Sequence, residues 1–369
     1  MRASIIKAAV LVACCGAVAS CAQTAGLQAS SAHGSHAVHK APPANAALAR
    51  YSAVKAAQAG PPAGAASPAR PAPATSPSAT AAAPDIPSSV NALPSPVSGQ
   101  SGSILGVYND AVPKSYSLVN RFAREVGLQP NVVMYFSAWG DRFRTGFAGV
   151  ARRHGAVPFV ELEPYTVSMQ SIAAGQQDAY LRSYAESVRS FGHPVLISFA
   201  HEMNGFWYRW GYTHTSPRVF RRAWRHVVTV FRRAGASNVR WVWVVNGVAP
   251  GESPIHEWWP GANYVTWVAM DCYYVRQSQT FRSVFGPTIH ALRSFTRKPE
   301  LIAETGIGSA AGQASKVPGL FAGVRARHLL GFVYYDVAQH GDAYHQNWRI
   351  DYDWPAIAAF RRSIQRYFG

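Results

Sequence analysis

The chain predicts an α/β fold, a (β/α)8 TIM barrel preceded by a signal peptide and a disordered Ala/Pro/Ser-rich tether. Composition is the first observation. Residues 1–102 contain one aromatic residue, Tyr51, and one acid, Asp85, and all eleven tryptophans lie beyond them. The stretch from about 22 to 102 is mostly Ala, Pro, Ser and Gly and cannot bury enough apolar surface to offset chain entropy. Length is the second: residues 103–369 amount to one unit close to the roughly 250 residues of a single barrel. Rhythm is the third. Short apolar runs bounded by Pro, Gly or Asn recur at 104–108, 132–139, 157–163, 194–202, 238–246, 265–274, 300–304 and 329–336. Between them lie segments of helical spacing such as 179–192 and 285–298. Eight alternating units favour a closed parallel barrel over an open doubly wound sheet, and no GxGxxG or GxxxxGK[ST] loop supports the latter.

The first twenty residues place Arg2 and Lys7 ahead of the run AAVLVACCGAVA and small residues, the layout of an export signal too short to span a bilayer. Residues 1–20 are thus expected to be a signal peptide, 21–102 a linker and 103–369 the folded domain. Val18-Ala19-Ser20-Cys21 resembles the lipobox of bacterial lipoproteins. That resemblance implies cleavage before Cys21, lipidation of Cys21 and anchorage to a membrane, with Ala22 and Gln23 favouring outer-membrane sorting. The alternative is ordinary cleavage nearby and a free secreted product. Only Cys21 and Cys272 would survive processing, so no disulfide framework is expected. Cys272 is expected to be a buried, inert thiol.

The formal charge of +17 belongs largely to the domain, where 29 Lys and Arg face 17 Asp and Glu. The segment RVFRRAWRHVVTVFRRAG, 218–235, could mean affinity for acidic polysaccharide, a phosphate-bearing envelope or nucleic acid. Its Val219, Phe220, Ala223, Trp224, Val227, Val230 and Phe231 recur near the 3.6 period, so it reads first as an outer barrel helix. No nucleic-acid-binding motif is present, and no nucleic-acid partner is expected.

Loops at the C-terminal ends of barrel strands converge on one face. The predicted strand ends offer Asn109, Trp139, Glu163, His201 with Glu202, Asn246, Asp271 with Tyr273, Glu304, and Tyr334 with Asp336. Glu202 and Glu304 stand 102 residues apart, three βα units of about 34 residues, and therefore open on the same mouth. Two carboxylates across a pocket suit glycoside hydrolysis, one protonated to serve the leaving oxygen and one ionised to attack the anomeric carbon. Trp139, Trp207, Tyr208 and Trp210 at the same rim could stack on sugar faces. The division of labour calls for a raised pKa at Glu202 and a depressed or normal one at Glu304. A zinc protease is excluded because position 205, three beyond Glu202, is glycine rather than histidine. No GxSxG supports a serine hydrolase.

His201-Glu202-Met203-Asn204-Gly205 followed by Trp207 resembles the acid/base motif of glycoside hydrolase family 26, and Ala303-Glu304-Thr305-Gly306 resembles its nucleophile strand. Leu162-Glu163-Pro164 and Asn347-Trp348-Arg349 resemble the endings of its third strand and the segment after its eighth. The resemblance implies a retaining, cofactor-free, β-mannanase-like enzyme. Glu202 would be the proton donor and Glu304 the nucleophile. His201 and Trp207 would contact sugar and Tyr273 would hydrogen-bond the nucleophile, with Trp139, Glu163 and Tyr334 also binding substrate. No metal is implied. The family includes β-1,4-mannanases, β-1,3-xylanases and mixed-linkage β-glucanases, with β-mannan the default. Ser198 replaces an arginine common in the family, and Tyr334 a strand-eight tryptophan. The charge leaves an acidic exopolysaccharide as a second substrate class, a monomer is expected, and the rival of another kind is a non-catalytic sugar-binding barrel.

Overall fold

A computed structural model describes residues 95–249, 253–338 and 346–368. The expected signal peptide, Cys21 and the tether as far as residue 94 lie outside the described residues. Residues 95–102, the expected end of that tether, are described: Val97 packs against the core and Gly102 N–H donates to the Leu329 carbonyl at 2.9 Å. Ordered packing therefore reaches back before the expected boundary at 103.

Eight strands close into one parallel barrel in sequence order: β1 (Ile104–Tyr108), β2 (Val132–Ala138), β3 (Val157–Glu163), β4 (Val195–Phe199), β5 (Val239–Asn246), β6 (Trp267–Asp271), β7 (Glu300–Thr305) and β8 (Gly331–Tyr335). The strands are buried on both faces because helices cover the outside and side chains fill the inside, which is why they read as apolar runs. Outside them lie α1 (Ser117–Val126), α2 (Thr145–Arg153), α3 (Met169–Ala173), α4 (Asp178–Phe191), α5 (Pro217–Arg233), α6 (Phe281–Arg293), α7 (Gln313–Ala326) and α8 (Trp354–Phe368).

Local chemistry sets several of these boundaries. Ser216 caps α5 by accepting the Val219 N–H, and Pro217 supplies a first helical residue that has no N–H to satisfy. α6 begins at Phe281 rather than at 285 because Thr280 and Ser283 form a reciprocal capping box. The predicted fourth strand, 194–202, stops at Phe199, since Ala200 and Glu202 both take left-handed backbone at φ 52°. The predicted sixth strand, 265–274, shortens to Trp267–Asp271, where its register with β7 shifts.

β1 and β8 close the barrel with Ile104 opposite Gly331. Gly331 has φ 148°, and a Cβ there would stand 1.9 Å from the Ile104 carbonyl oxygen. Gly331→Ala must push two core strands apart. The expected cost is about 3 kcal/mol, or a fall in Tm on the order of 10 °C for a domain of this size, measurable by scanning calorimetry.

Candidate active site

The C-terminal end of β4 runs into a loop that never regains regular structure before α5, yet every turn of it is tied down. Glu202 N–H donates to Val244 O of β5 at 3.1 Å, and the Asn204 side chain exchanges hydrogen bonds with the backbone of Asn246 at 2.9 and 3.1 Å. The Trp210 indole donates to the His201 carbonyl at 2.7 Å while its ring stacks on Tyr208 at 4.3 Å. Tyr208 and Trp210 are thus buried supports beneath the loop rather than the sugar-stacking rim expected of them. Trp207 is different. It is partly exposed, and its Nε1–H donates to Glu202 Oε2 at 2.9 Å. Gly205 makes room for this: a Cβ there would lie 2.3 Å from the Trp207 ring.

Glu304, near the end of β7, has its own donor. The Tyr273 hydroxyl, carried just beyond β6, donates to Glu304 Oε2, and the Cys272 N–H donates to the Glu304 carbonyl at 3.1 Å. Burial first, and then the charge of Glu304, hold the Tyr273 phenol far above its ordinary pKa, so it stays a donor. Tyr273 also packs on Trp348 at 4.9 Å and edge-on against Tyr335 at 5.8 Å.

An unbroken series of contacts joins the two acids around the mouth. From Glu304 it passes through Tyr273, Tyr335, Tyr108 and Phe136 to His201, with ring separations of 5.8, 4.8, 5.0 and 5.9 Å. Glu202 follows His201 directly. The parallel barrel puts both carboxylates at the same end, and each is almost fully buried, 3% exposed for Glu202 and 1% for Glu304.

Below them is a second charged layer. Glu161 and Glu163 share a face of β3 because they are two residues apart. Glu161 Oε2 lies 3.2 Å from His201 Nδ1, and the other imidazole nitrogen lies 3.1 Å from the Tyr208 hydroxyl. Burial works against a charged imidazole here, but Glu161, with Glu163 and Glu202, overcomes it and raises His201 to about 9. Ser198 stands beside Glu161 in strand register, so His201 supplies the cationic partner there that an arginine at 198 could have supplied.

Two expected binding residues face the other way. Trp139 packs on Tyr180 of α4 at 4.7 Å and on Phe199, in line with Tyr135 and Ser137, which also meet the helices. Tyr334 packs on Phe122 of α1 and Phe360 of α8, and its hydroxyl donates to the Trp348 carbonyl at 3.0 Å. The phase of these strands is the opposite of the one expected, so Tyr335, not Tyr334, turns toward the mouth. Glu161, Tyr108, Phe136 and Tyr335 were the residues sequence reasoning passed over. Glu161 alone carried a signal, its two-residue offset from Glu163. Cys272 is buried beside Thr288, as expected of an inert thiol.

The segment bearing Trp348 is clamped from behind. Gln313 donates to the carbonyls of Ile307, Asn347 and Arg349, and Asp336 Oδ1 accepts the Ile350 N–H at 3.0 Å. Asp336 is also buried toward the helices, not at the mouth, and burial raises its pKa to about 7. A carboxyl raised in the native state makes the unfolded chain give up its proton first, so stability drains away as pH rises from about 4 to about 7. Asp336→Asn is expected to flatten that slope, by up to a few kcal/mol at neutral pH, in urea unfolding followed between pH 4 and 8.

Residues 169–300 match the family model described as Glycosyl hydrolase family 26. The chain is similar to Endoglucanase H of Acetivibrio thermocellus, 28% identical over 282 residues, covering 72% of this chain and 30% of that protein. It is also similar to Mannan endo-1,4-beta-mannosidase A and B of Caldalkalibacillus mannanilyticus, 30% identical over 96 residues, 24% of this chain and 18% of that one. The chain therefore spans less than a third of the length of these two relatives. In fold it resembles a beta-mannanase of Bacteroides ovatus, with TM-score 0.56 at 14% identity, over 72% of this chain and 89% of that chain.

Proposed function

We propose that the chain is a retaining glycoside hydrolase of glycosyl hydrolase family 26 that cleaves β-linked polysaccharide, β-mannan foremost. The observation that carries this reading is the pair of buried glutamates on one mouth, each held by a separate aromatic donor, Trp207 for Glu202 and Tyr273 for Glu304. In the first step Glu304 attacks the anomeric carbon as Glu202 gives its proton to the departing glycosidic oxygen. In the second, Glu202 takes a proton from water, whose oxygen displaces Glu304 from the anomeric carbon. His201 and Trp207 border the sugar at this point, and Tyr273 aligns the attacking carboxylate. The sequence match to a mannan-cleaving relative supports mannan as the first substrate to test.

Reducing-end release from β-mannan, mixed-linkage β-glucan, β-1,3-xylan and acidic exopolysaccharides is the experiment. Release from β-mannan with retained anomeric configuration in early proton NMR spectra is the expected result, at a carboxylate separation of roughly 5 to 5.5 Å. Binding without release on every glycan would instead describe a sugar-binding barrel. We also infer that the chain is exported and lipid-anchored at Cys21, on the strength of Val18-Ala19-Ser20-Cys21 after an apolar run. Loss of radiolabelled palmitate incorporation in Cys21→Ser tests that anchor.

A further inference from the structure

The outer surface of α5 carries a charge pattern that the barrel does not require. Its inner side does the structural work: Phe220, Ala223, Trp224, Val227, Val228 and Phe231 are buried against the strands and neighbouring helices. The remaining side holds Arg218, Arg221, Arg222, Arg225, Arg232 and Arg233, and the helix contains no acid at all. At about 100° per residue these six arginines fall within an arc of roughly 120°, a stripe on the order of 22 Å long. Among the described residues none of the six forms an ion pair with a carboxylate. Asp178 reaches this helix but is taken by His226 and Arg182, and Glu257 meets the helix through its backbone carbonyl, which accepts from Arg221. Arg225 and Arg232 are pinned over the Tyr264 ring, each 5.6 Å from its centre, and bond the carbonyls of Pro260 and Asn263.

Such a stripe works against the helix that bears it. Arg218 and Arg222, and Arg221 and Arg225, are like charges four residues apart, and Arg218 sits in the first turn, where the helix dipole disfavours cations. An outer helix needing only solubility could mix in glutamates at no cost to the core.

We propose that the α5 stripe is an attachment site for a linear acidic polysaccharide, separate from the cleft and outside the catalytic reading given above. The occupant follows from chemistry. Planar guanidiniums pair well with carboxylate and sulfate groups, and a narrow straight row of them matches an extended polyanion. The stripe exposes no large apolar side chain of the kind that seats a helix in a lipid surface. The stripe runs down the outside of the barrel from its Arg218 end at the level of the mouth, whereas the two glutamates open inside the rim, so a chain held along α5 leaves the cleft itself open.

The test measures binding of the full chain to polygalacturonate by titration at several salt concentrations. R218E/R222E is compared with R282E/R362E, which makes the same change in net charge on exposed positions of α6 and α8. Glutamate at 218 suits the first turn of α5 and Arg222 is an exposed position, so the first variant should fold as well as the parent. Expected is salt-sensitive binding that falls about tenfold or more in R218E/R222E and less than threefold in the control pair. Three results overturn the proposal: no binding by the parent, equal losses in the two variants, or binding to phosphatidylglycerol vesicles but not to polygalacturonate. None of them bears on reducing-end release, so this site and the proposed hydrolase stand or fall separately.

Discussion

Glu304→Gln is expected to lower turnover of β-mannan by on the order of 10⁴-fold or more while leaving the fold intact. Glutamine keeps the volume of the side chain and an oxygen that can accept the Tyr273 hydroxyl bond, and the backbone carbonyl that holds Cys272 N–H is unchanged. What it loses is the charge and nucleophilicity needed to bond the anomeric carbon. Chemistry fails while the substrate still fits, so kcat collapses and KM changes little. Glu304→Gly in the presence of azide gives a sharper reading. With the nucleophile gone, azide enters from its side and yields a glycosyl azide of inverted anomeric configuration. Near-parent turnover in Glu304→Gln, or a retained azide product from Glu304→Gly, would assign the nucleophile elsewhere.

Glu202→Ala is expected to cost roughly 10²- to 10⁴-fold on polysaccharide, and the loss should depend on the leaving group. An alkoxide leaves only with a proton, whereas a dinitrophenolate leaves without one. On a dinitrophenyl glycoside the first step should therefore survive and the second, which needs a base for water, should stall. A rapid burst of dinitrophenol followed by slow turnover is the signature in stopped flow. Azide needs no base, so it should restore turnover and give a product of retained configuration. Equal losses on activated and natural substrates would remove Glu202 from the proton-transfer role. Trp207 ties this residue to its loop through a 2.9 Å bond, so a calorimetric control on Glu202→Ala belongs with the kinetics.

Much of this arrangement could be read in the sequence, and the exceptions share a cause. The eight strands appear where their apolar runs predict, with β1 and β3 matching at both ends. Runs bounded by Gly and Pro locate strands well because a parallel strand is apolar throughout. The same property hides which face each residue takes. Tyr334 and Tyr335, or Trp139 and its neighbours, are equally apolar on paper, and a shift of one residue exchanges cleft for helix layer. The placement of His201, Glu202 and Glu304 at the strand ends could be read because each closes or directly follows an apolar run. The Glu161 partner of His201 was less legible, since its one signal was the two-residue offset that puts it on the same face as Glu163. The ends of the fourth and sixth strands escaped because Ala200, Glu202 and the register shift after Met270 obey backbone geometry rather than hydrophobic pattern.

The left-handed backbone at Ala200 and Glu202 has an implication for thermal resilience. Neither residue is suited to that conformation, and glycine or asparagine at either place would relax it by about 1 kcal/mol. Glycine in place of Ala200 would be a plain gain in stability, whereas at Glu202 the relief is set against loss of the bond from Trp207. Position 202 therefore stores backbone strain beneath a buried carboxylate, and Glu202→Gly should melt above Glu202→Ala.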